Sequence, residues 1–362
     1  MPATDINETG AWLRLTLIPG LGNATLRKLL AEFGSPEGVI AARPAELRHF
    51  VSPDIAAQIS GGINTAGMQQ ALAWLSEPMN HIVSLGDPDY PQLLLQTADP
   101  PVILYVKGRL ELLNRPSLAI VGSRNATAQG TNNATDFARA LSDAGITIVS
   151  GLALGIDAAA HRGGLAGCAS SLAVIGTGLD VVYPARNKAL AHELAERGAL
   201  VSEFALGTPP LGSNFPRRNR VISGMSLGCL VVEAALQSGS LITARFANEQ
   251  GREVFALPGS IHSPLAKGCH ALIKQGAKLV DTANDILEEL KLSVVPSAAP
   301  AGPVCTPSAA RLLDQLGYDP CGLDALCART GLGPDVVSAA LLELELGGLV
   351  EALPGGQYQR TR

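Results

Sequence analysis

Ser117-Leu118-Ala119-Ile120-Val121-Gly122-Ser123-Arg124 decides the fold. Five residues without polar alternation lead directly into a glycine, a hydroxyl and a cation. A strand that does not alternate is buried on both faces, as in a parallel sheet covered by helices. Further runs of the same texture follow at Ile146 to Ser150, Ser171 to Ile175, Leu200 to Glu203, Cys229 to Glu233, Glu253 to Leu257 and Lys278 to Val280, with a shorter one before them at Val102 to Val106. Between them lie helix-length, amphipathic or Ala-rich segments: Gly130 to Ala144, Ile156 to Ala166, Lys188 to Arg197 and Leu241 to Gln250. Strand alternating with helix predicts an α/β, Rossmann-like, doubly wound parallel sheet, with ligands beyond the carboxyl ends of the strands.

The unusual residues fall at those ends. The strands run into Gly122-Ser123-Arg124, into Ser150-Gly151-Leu152-Ala153-Leu154-Gly155-Ile156-Asp157, into Gly176-Thr177-Gly178, and into Glu233-Ala234 with Ser238-Gly239-Ser240 beyond. Small residues before a helix leave free amides and a favourable dipole for an anion. The fourth strand leads towards Asn214-Phe215-Pro216-Arg217-Arg218-Asn219-Arg220, the densest cation cluster in the chain. Arginine suits bidentate contact with phosphate, and Phe215 offers a stacking face. Arg124, Arg186, Arg217, Arg218 and Arg220 are expected to form a convergent phosphate-binding rim.

Composition narrows the choices. The 362 residues imply two or three domains, and the 47% hydrophobic content and 39 glycines suit a packed α/β protein. A net charge of −5 makes any anion site local rather than a basic coat. Met1 to Gly10, polar and carrying Asp5 and Glu8, does not read as a signal peptide, and no apolar run reaches membrane-spanning length. Cys168, Cys229, Cys269, Cys305, Cys321 and Cys327 form no Cys-x-x-Cys pair, so neither a zinc site nor a disulfide framework is expected. The cytoplasm is the default compartment.

Nicotinamide chemistry is disfavoured, because Gly122 to Thr127 lacks the spaced glycines of a dinucleotide fingerprint and no acidic residue ends the second strand. Asp157 and His161, four apart on a helix, could be an acid/base pair or half a metal site, or a capping aspartate with a structural histidine. Glu203 and Glu233 are the other carboxylates at strand ends. No catalytic residue, metal or cofactor is assigned.

Flanking segments differ in texture. Trp12 to Ala73 reads as helical, and Ile18-Pro19-Gly20-Leu21-Gly22 before Ala24 to Glu32 fits a helix-hairpin-helix, whose amides, aided by Arg27 and Lys28, would face a phosphate. A plain αα-turn fits equally. Residues 293–308 read as a linker rich in Pro, Ala and Ser. Ala309 to Leu316, Gly322 to Thr330 and Pro334 to Leu346, followed by two short strands around Pro354-Gly355-Gly356, outline a winged helix. Its third helix carries Asp335, Glu343 and Glu345 and no cation, so this part is expected to bind a protein, or to touch DNA only through Arg360 and Arg362. The organisation expected is 1–78 helical, 79–292 Rossmann-like, 293–308 linker and 309–362 winged helix.

These motifs, in order, resemble the DNA-processing protein A family (DprA, also called Smf): Val121 to Arg124; Ser150 to Asp157 with His161; Gly178-Leu179-Asp180 and Tyr183-Pro184; Phe215-Pro216, then Arg218-Asn219-Arg220; Val232 to Ala234 with Ser238 to Ala244; and Pro258-Gly259. The resemblance covers the whole central part, and the flanks also fit. It implies an extended Rossmann-like fold that binds single-stranded DNA, forms a homodimer and loads the RecA recombinase in natural transformation, without enzymatic activity. By position it implies phosphate contacts at Gly122, Ser123 and Arg124, with Arg186, Arg217 and Arg218 along the rest of the path; Phe215, Asn219, Arg220, Gly239 and Ser240 complete the DNA-binding residues expected from the loops and the cation cluster. Leu154 stands where the family usually has arginine, and His270 where asparagine is common. A rim neutralising roughly three to five phosphates predicts sequence-tolerant binding that falls with salt by about 0.7 log units per phosphate. The competing class is a Rossmann-like nucleotide-ligand protein or phosphoribohydrolase-like enzyme, using Glu233 and the Ser238 to Thr243 loop on a small phosphate ligand.

Overall fold

The computed structural model describes residues 6–61, 65–292 and 306–361. Most of the expected linker, and Arg362, lie outside them. The chain opens with helices α1 (Ile6–Thr16), α2 (Asn23–Phe33), α3 (Pro36–Ala41), α4 (Pro44–Leu47), α5 (Pro53–Gly61) and α6 (Thr65–Leu75). It continues through β1 (Asn80–Ser84), α7 (Gln92–Leu95), β2 (Ile103–Gly108), β3 (Ser117–Val121), α8 (Ala128–Asp143), β4 (Thr147–Ser150), α9 (Ile156–Ala166), β5 (Ser171–Val174), α10 (Lys188–Arg197) and β6 (Ala199–Ser202). Then come α11 (Asn214–Gly224), β7 (Gly228–Val231), α12 (Ser240–Glu249), β8 (Glu253–Ala256), α13 (Lys267–Lys274), β9 (Lys278–Leu279) and α14 (Ala283–Glu289). The final part comprises α15 (Pro307–Leu316), β10 (Cys321–Gly322), α16 (Leu323–Thr330), α17 (Pro334–Leu346), β11 (Val350–Leu353) and β12 (Gln357–Arg360).

Strands β1 to β9 form one sheet in the order β1-β2-β6-β5-β4-β3-β7-β8-β9. From β6 to β9 every pairing is parallel, and β3, β4, β5 and β7 are buried along their whole length, as their unalternating sequences require. The doubly wound sheet is therefore mostly rather than wholly parallel: β2 runs antiparallel to β6, and β1 antiparallel to β2. Helices cover both faces. Helices α8 and α9 enclose one apolar cluster with Leu118, Ile120 and Leu230, and α11 and α12 enclose another with Val121, Val149 and Val231. The amino-terminal helices have no separate interior, since Leu13, Leu15, Leu26 and Leu29 share a cluster with Ile103 and Tyr105 of β2 and Leu194 of α10. The winged helix has its own cluster around Leu312, Leu326, Leu341 and Leu344. Among the described residues no helix is long and apolar enough to cross a membrane.

Candidate nucleic-acid interface

Chain order reverses on either side of β3, so the carboxyl ends of β3 and β7 form the topological switch point where α/β sheets bind ligands. A groove of about 760 Å³ opens there. It gathers Gly122, Ser123, Arg124, Phe215, Arg218, Asn219, Gly239 and Ser240. The loop after β3 is stitched down on both sides: Ser123 N donates to Glu233 O (2.8 Å), and Ile156 N donates to Ser123 O (3.1 Å). Gly122 has no room for a side chain, because a Cβ would lie 2.6 Å from Ile156 Cγ1 and 2.9 Å from Glu233 O. Gly155 adopts a φ of 72°, which admits glycine readily and side chains at a cost. Arg124 emerges exposed from this fixed base.

Helices α11 and α12 start at the groove, so their positive dipole ends face it, while the first-turn amides of α12 are engaged within the loop: Ser240 N donates to Ser238 Oγ (3.3 Å), Leu241 N to Ser238 O (3.2 Å) and Ile242 N to Gly239 O (3.1 Å). Ser240 Oγ and Ser238 Oγ share a 2.7 Å hydrogen bond, and Asn219 Nδ2 reaches Gly239 O (3.4 Å), which holds the loop before α12 against α11. Helix α8 is different. Thr127 Oγ1 caps it by accepting from Gly130 N (2.9 Å), while Glu233 accepts from Thr127 N (3.0 Å) and Thr127 Oγ1 (2.6 Å). Both Glu233 oxygens are thus engaged in holding the loop, a structural task that argues against the catalytic role a hydrolase would give it.

An aromatic element that the sequence reading did not assign completes the groove's edge. Tyr183, 44% exposed, packs on Phe215 with ring centroids 5.6 Å apart, and the Arg124 guanidinium lies 5.8 Å from the Phe215 centroid. Buried Asn187 holds this loop in place by donating to Leu152 O (2.9 Å) and Ala153 O (3.1 Å). The signal was present in Tyr183-Pro184, read as a motif but not as a contact. Bases stack on such surfaces irrespective of sequence.

The arginine rim is smaller than expected. Arg218 is buried, and its guanidinium donates to Gly151 O and to Val174 O (2.5 Å), so it fastens two strand ends from the floor of the groove instead of projecting into solvent. Burial lowers its pKa to about 10, an effect that nearby Asp157 opposes. Arg220, 11% exposed, bonds Glu203 Oε2 (2.5 Å) and approaches Asp99 (3.5 Å). Helical geometry explains the split, since positions 217 and 220 share one face of α11 and 218 turns inward. Arg217 is 55% exposed, lies over Phe204 (5.1 Å), and faces a separate cleft rather than the groove. Arg186 is exposed on the turn Ala185–Asn187, outside the groove lining. Exposed cations therefore number Arg124, Arg186 and Arg217 among the five arginines expected.

The amino-terminal hairpin likewise turns towards protein. Gly20, Leu21 and Gly22 face Tyr105 and Glu203, and Arg27 pairs with Asp99 (2.6 Å) and donates to Pro100 O (2.8 Å). Asp157 caps the loop by accepting from Gly151 N (3.1 Å) and Ala153 N (3.3 Å). His161 is fully buried: Leu152 N donates to Nε2 (3.3 Å), and Ser171 Oγ, which donates to Ile148 O, accepts from Nδ1 (2.8 Å). Burial, reinforced by Arg218 and Arg162, pushes the imidazole pKa down to about 3. The pair is structural. Half-exposed Leu154 adds no cation to its loop, and His270 Nε2 meets Gly259 O (3.1 Å). Among the described residues no cluster of His, Cys, Asp or Glu could hold a metal.

In the winged helix, Glu343 accepts from Thr306 N (2.9 Å) and Oγ1 (2.7 Å), while Asp335 and Glu345 stay exposed on α17. Gln359 meets Gln129 Oε1 (3.3 Å), and Asn132 Nδ2 donates to Thr361 O (3.3 Å), which seats the wing against α8.

Comparison with known proteins bears on the family and the fold. Residues 81–291 match the model of the family described as DNA recombination-mediator protein A, and residues 296–356 match the DprA winged helix domain. Protein Smf of Escherichia coli K12 is 46% identical over 82% of this chain and 81% of its own length. The X-ray structure of DNA processing protein A from Streptococcus pneumoniae superposes with a TM-score of 0.69 at 37% identity, covering 80% of this chain and 99% of that one. The Helicobacter pylori protein, whose structure is described for its single-stranded DNA binding mode, gives a TM-score of 0.53 at 29% identity over 58% of this chain and 96% of its own.

Proposed function

The chain belongs to the DNA recombination-mediator protein A family, DprA or Smf, and from that premise we propose that it is a non-enzymatic cytoplasmic protein that binds single-stranded DNA, protects it and loads a RecA recombinase onto it during natural transformation and recombination. The observation that carries the reading is the groove at the switch point. There a free arginine, the positive ends of α11 and α12 and the Tyr183–Phe215 pair lie side by side. Two positive helix ends and one cation suit phosphates, and the rings suit bases of any identity, which favours an unpaired strand over a duplex. The Helicobacter relative's single-strand binding mode supports the same ligand. The family's description as a recombination mediator supports loading of a recombinase. The contact residues of this reading are Gly122, Ser123, Arg124, Phe215, Asn219, Gly239 and Ser240, with Tyr183 added and with Arg186 and Arg217 as outlying cations. A homodimer fits the sheet's outer edge, where β9 presents Leu279 at 48% exposure.

Fluorescence anisotropy with a long single strand, its duplex and a mononucleotide tests the proposal. The single strand should bind tightest. Arg124→Ala should weaken it on the order of tenfold and flatten the log–log salt slope by about 0.7, the share of one phosphate on a single strand. Preference for the mononucleotide, or an Arg124→Ala variant that binds like the wild type, overturns it.

A further inference from the structure

Helix α17 gives one side to the core of the winged helix and leaves the other side bare. Val337, Ala340, Leu341 and Leu344 are buried in the cluster that includes Leu312 and Leu326. On the opposite side, Asp335, Ala339, Leu342 and Leu346 follow the i, i+4, i+7, i+11 spacing that lines one face of a helix. Leu342 is 57% exposed, and Leu346, at 82%, is the barest large apolar side chain among the described residues. Val336 is exposed at the edge of the same face. A single exposed leucine needs no explanation, but two of them one turn apart, opposite the core, form a stripe.

The charges around the stripe choose its partner. Helical geometry sets Glu343 and Glu345 on either side of Leu342 and Leu346, and Asp335 lies in the first turn. Asp335 and Glu345 are exposed, Glu343 is partly buried and accepts from Thr306, and α17 contains no Lys or Arg. A helix at this place in a winged helix reads nucleic acid when it carries cations; here carboxylates would meet phosphates and repel them. A second copy of the same face would set carboxylate against carboxylate. Leucines at the centre with carboxylates at both margins instead complement an amphipathic helix whose apolar stripe runs between rows of Lys or Arg.

We propose that the outer face of α17 is a docking surface for a basic amphipathic helix of a protein partner. The surface is separate from the strand groove, whose lining includes no residue of the winged helix. A partner on α17 and a strand at the switch point therefore do not compete for the same side chains.

The test uses the full chain and two labelled designed peptides about as long as α17, both with leucines at helical spacing, one with lysine at the remaining positions and the other with glutamate. Fluorescence anisotropy should show the lysine peptide binding at least about tenfold tighter than the glutamate peptide, and weakening as salt rises. The double variant Leu342→Gln, Leu346→Gln should weaken the lysine peptide by about tenfold or more, the effect of losing one well-buried leucine. Its melting temperature and its strand affinity should stay at the wild-type values, because both side chains are exposed and outside the groove. Glu345→Gln should weaken the lysine peptide about twofold and flatten its salt response. Equal binding of the two peptides, or a double variant that binds the lysine peptide like the wild type, overturns the proposal. Loss of strand affinity in the double variant also overturns it and assigns α17 to the nucleic acid.

Discussion

Arg124 and Arg218 line one groove and do opposite work. The first leaves an exposed loop whose backbone is fixed from beneath, and its charge faces solvent and the Phe215 ring. The second belongs to the densest run of positive charge in the chain and is buried on the carbonyls of Gly151 and Val174. Density of arginine along a sequence therefore marked a structural node here, while an isolated arginine after a strand marked the surface. A guanidinium has five donors, and where strand ends converge it satisfies carbonyls that no side chain from the sheet itself can reach.

The sharpest way to break the contrast is Arg218→Met. It should destabilise the fold by about 3–5 kcal/mol, because it strands two buried carbonyls and removes the charge that offsets Asp157. Chemical denaturation reads this directly, and a variant that folds normally but loses DNA binding would place Arg218 with Arg124 after all. Next is the pH response of the same buried node. His161 has a folded pKa of about 3, against about 6.5 unfolded, so the unfolded chain binds the extra proton and stability falls as pH drops from 6.5 towards 3. The slope should approach about 1.4 kcal/mol per pH unit within that window. Melting curves between pH 7 and 4 should be flatter for His161→Gln; equal slopes would show that the imidazole titrates freely. The smallest effect belongs to Arg217→Ala. More than half exposed, it should change stability by less than about 0.5 kcal/mol, yet reduce the salt dependence of strand binding by about one phosphate. A large stability loss with unchanged binding would move Arg217 to the structural side.

Much of the central sheet was legible because burial on both faces writes itself as unbroken apolar runs. The start of β3 at Ser117 and the limits of α9 and α10 match the residues expected, and the remaining strands differ by one or two residues at their ends. Strand β1 was not legible. Asn80-His81-Ile82-Val83-Ser84 has a half-polar texture, and nothing in it records that β2 turns antiparallel against β6. The groove's loops were found because glycine and small hydroxyl residues at strand ends have a local physical reason. The fate of the arginines was hidden because their partners are remote: Arg220 meets Glu203 and Asp99, and Arg218 meets main-chain oxygens that have no sequence identity at all. Tyr183 belonged to a visible motif, but its contact with Phe215 exists only after folding.

Asp99 joins parts of the chain that sequence order keeps far apart. One of its oxygens holds Arg27 of α2, and the other approaches Arg220 of α11, so a single carboxylate acts as a rivet between the amino-terminal helices and the helix that forms one wall of the groove. A load on the first turn of α11 is thereby braced against the leading helices of the molecule.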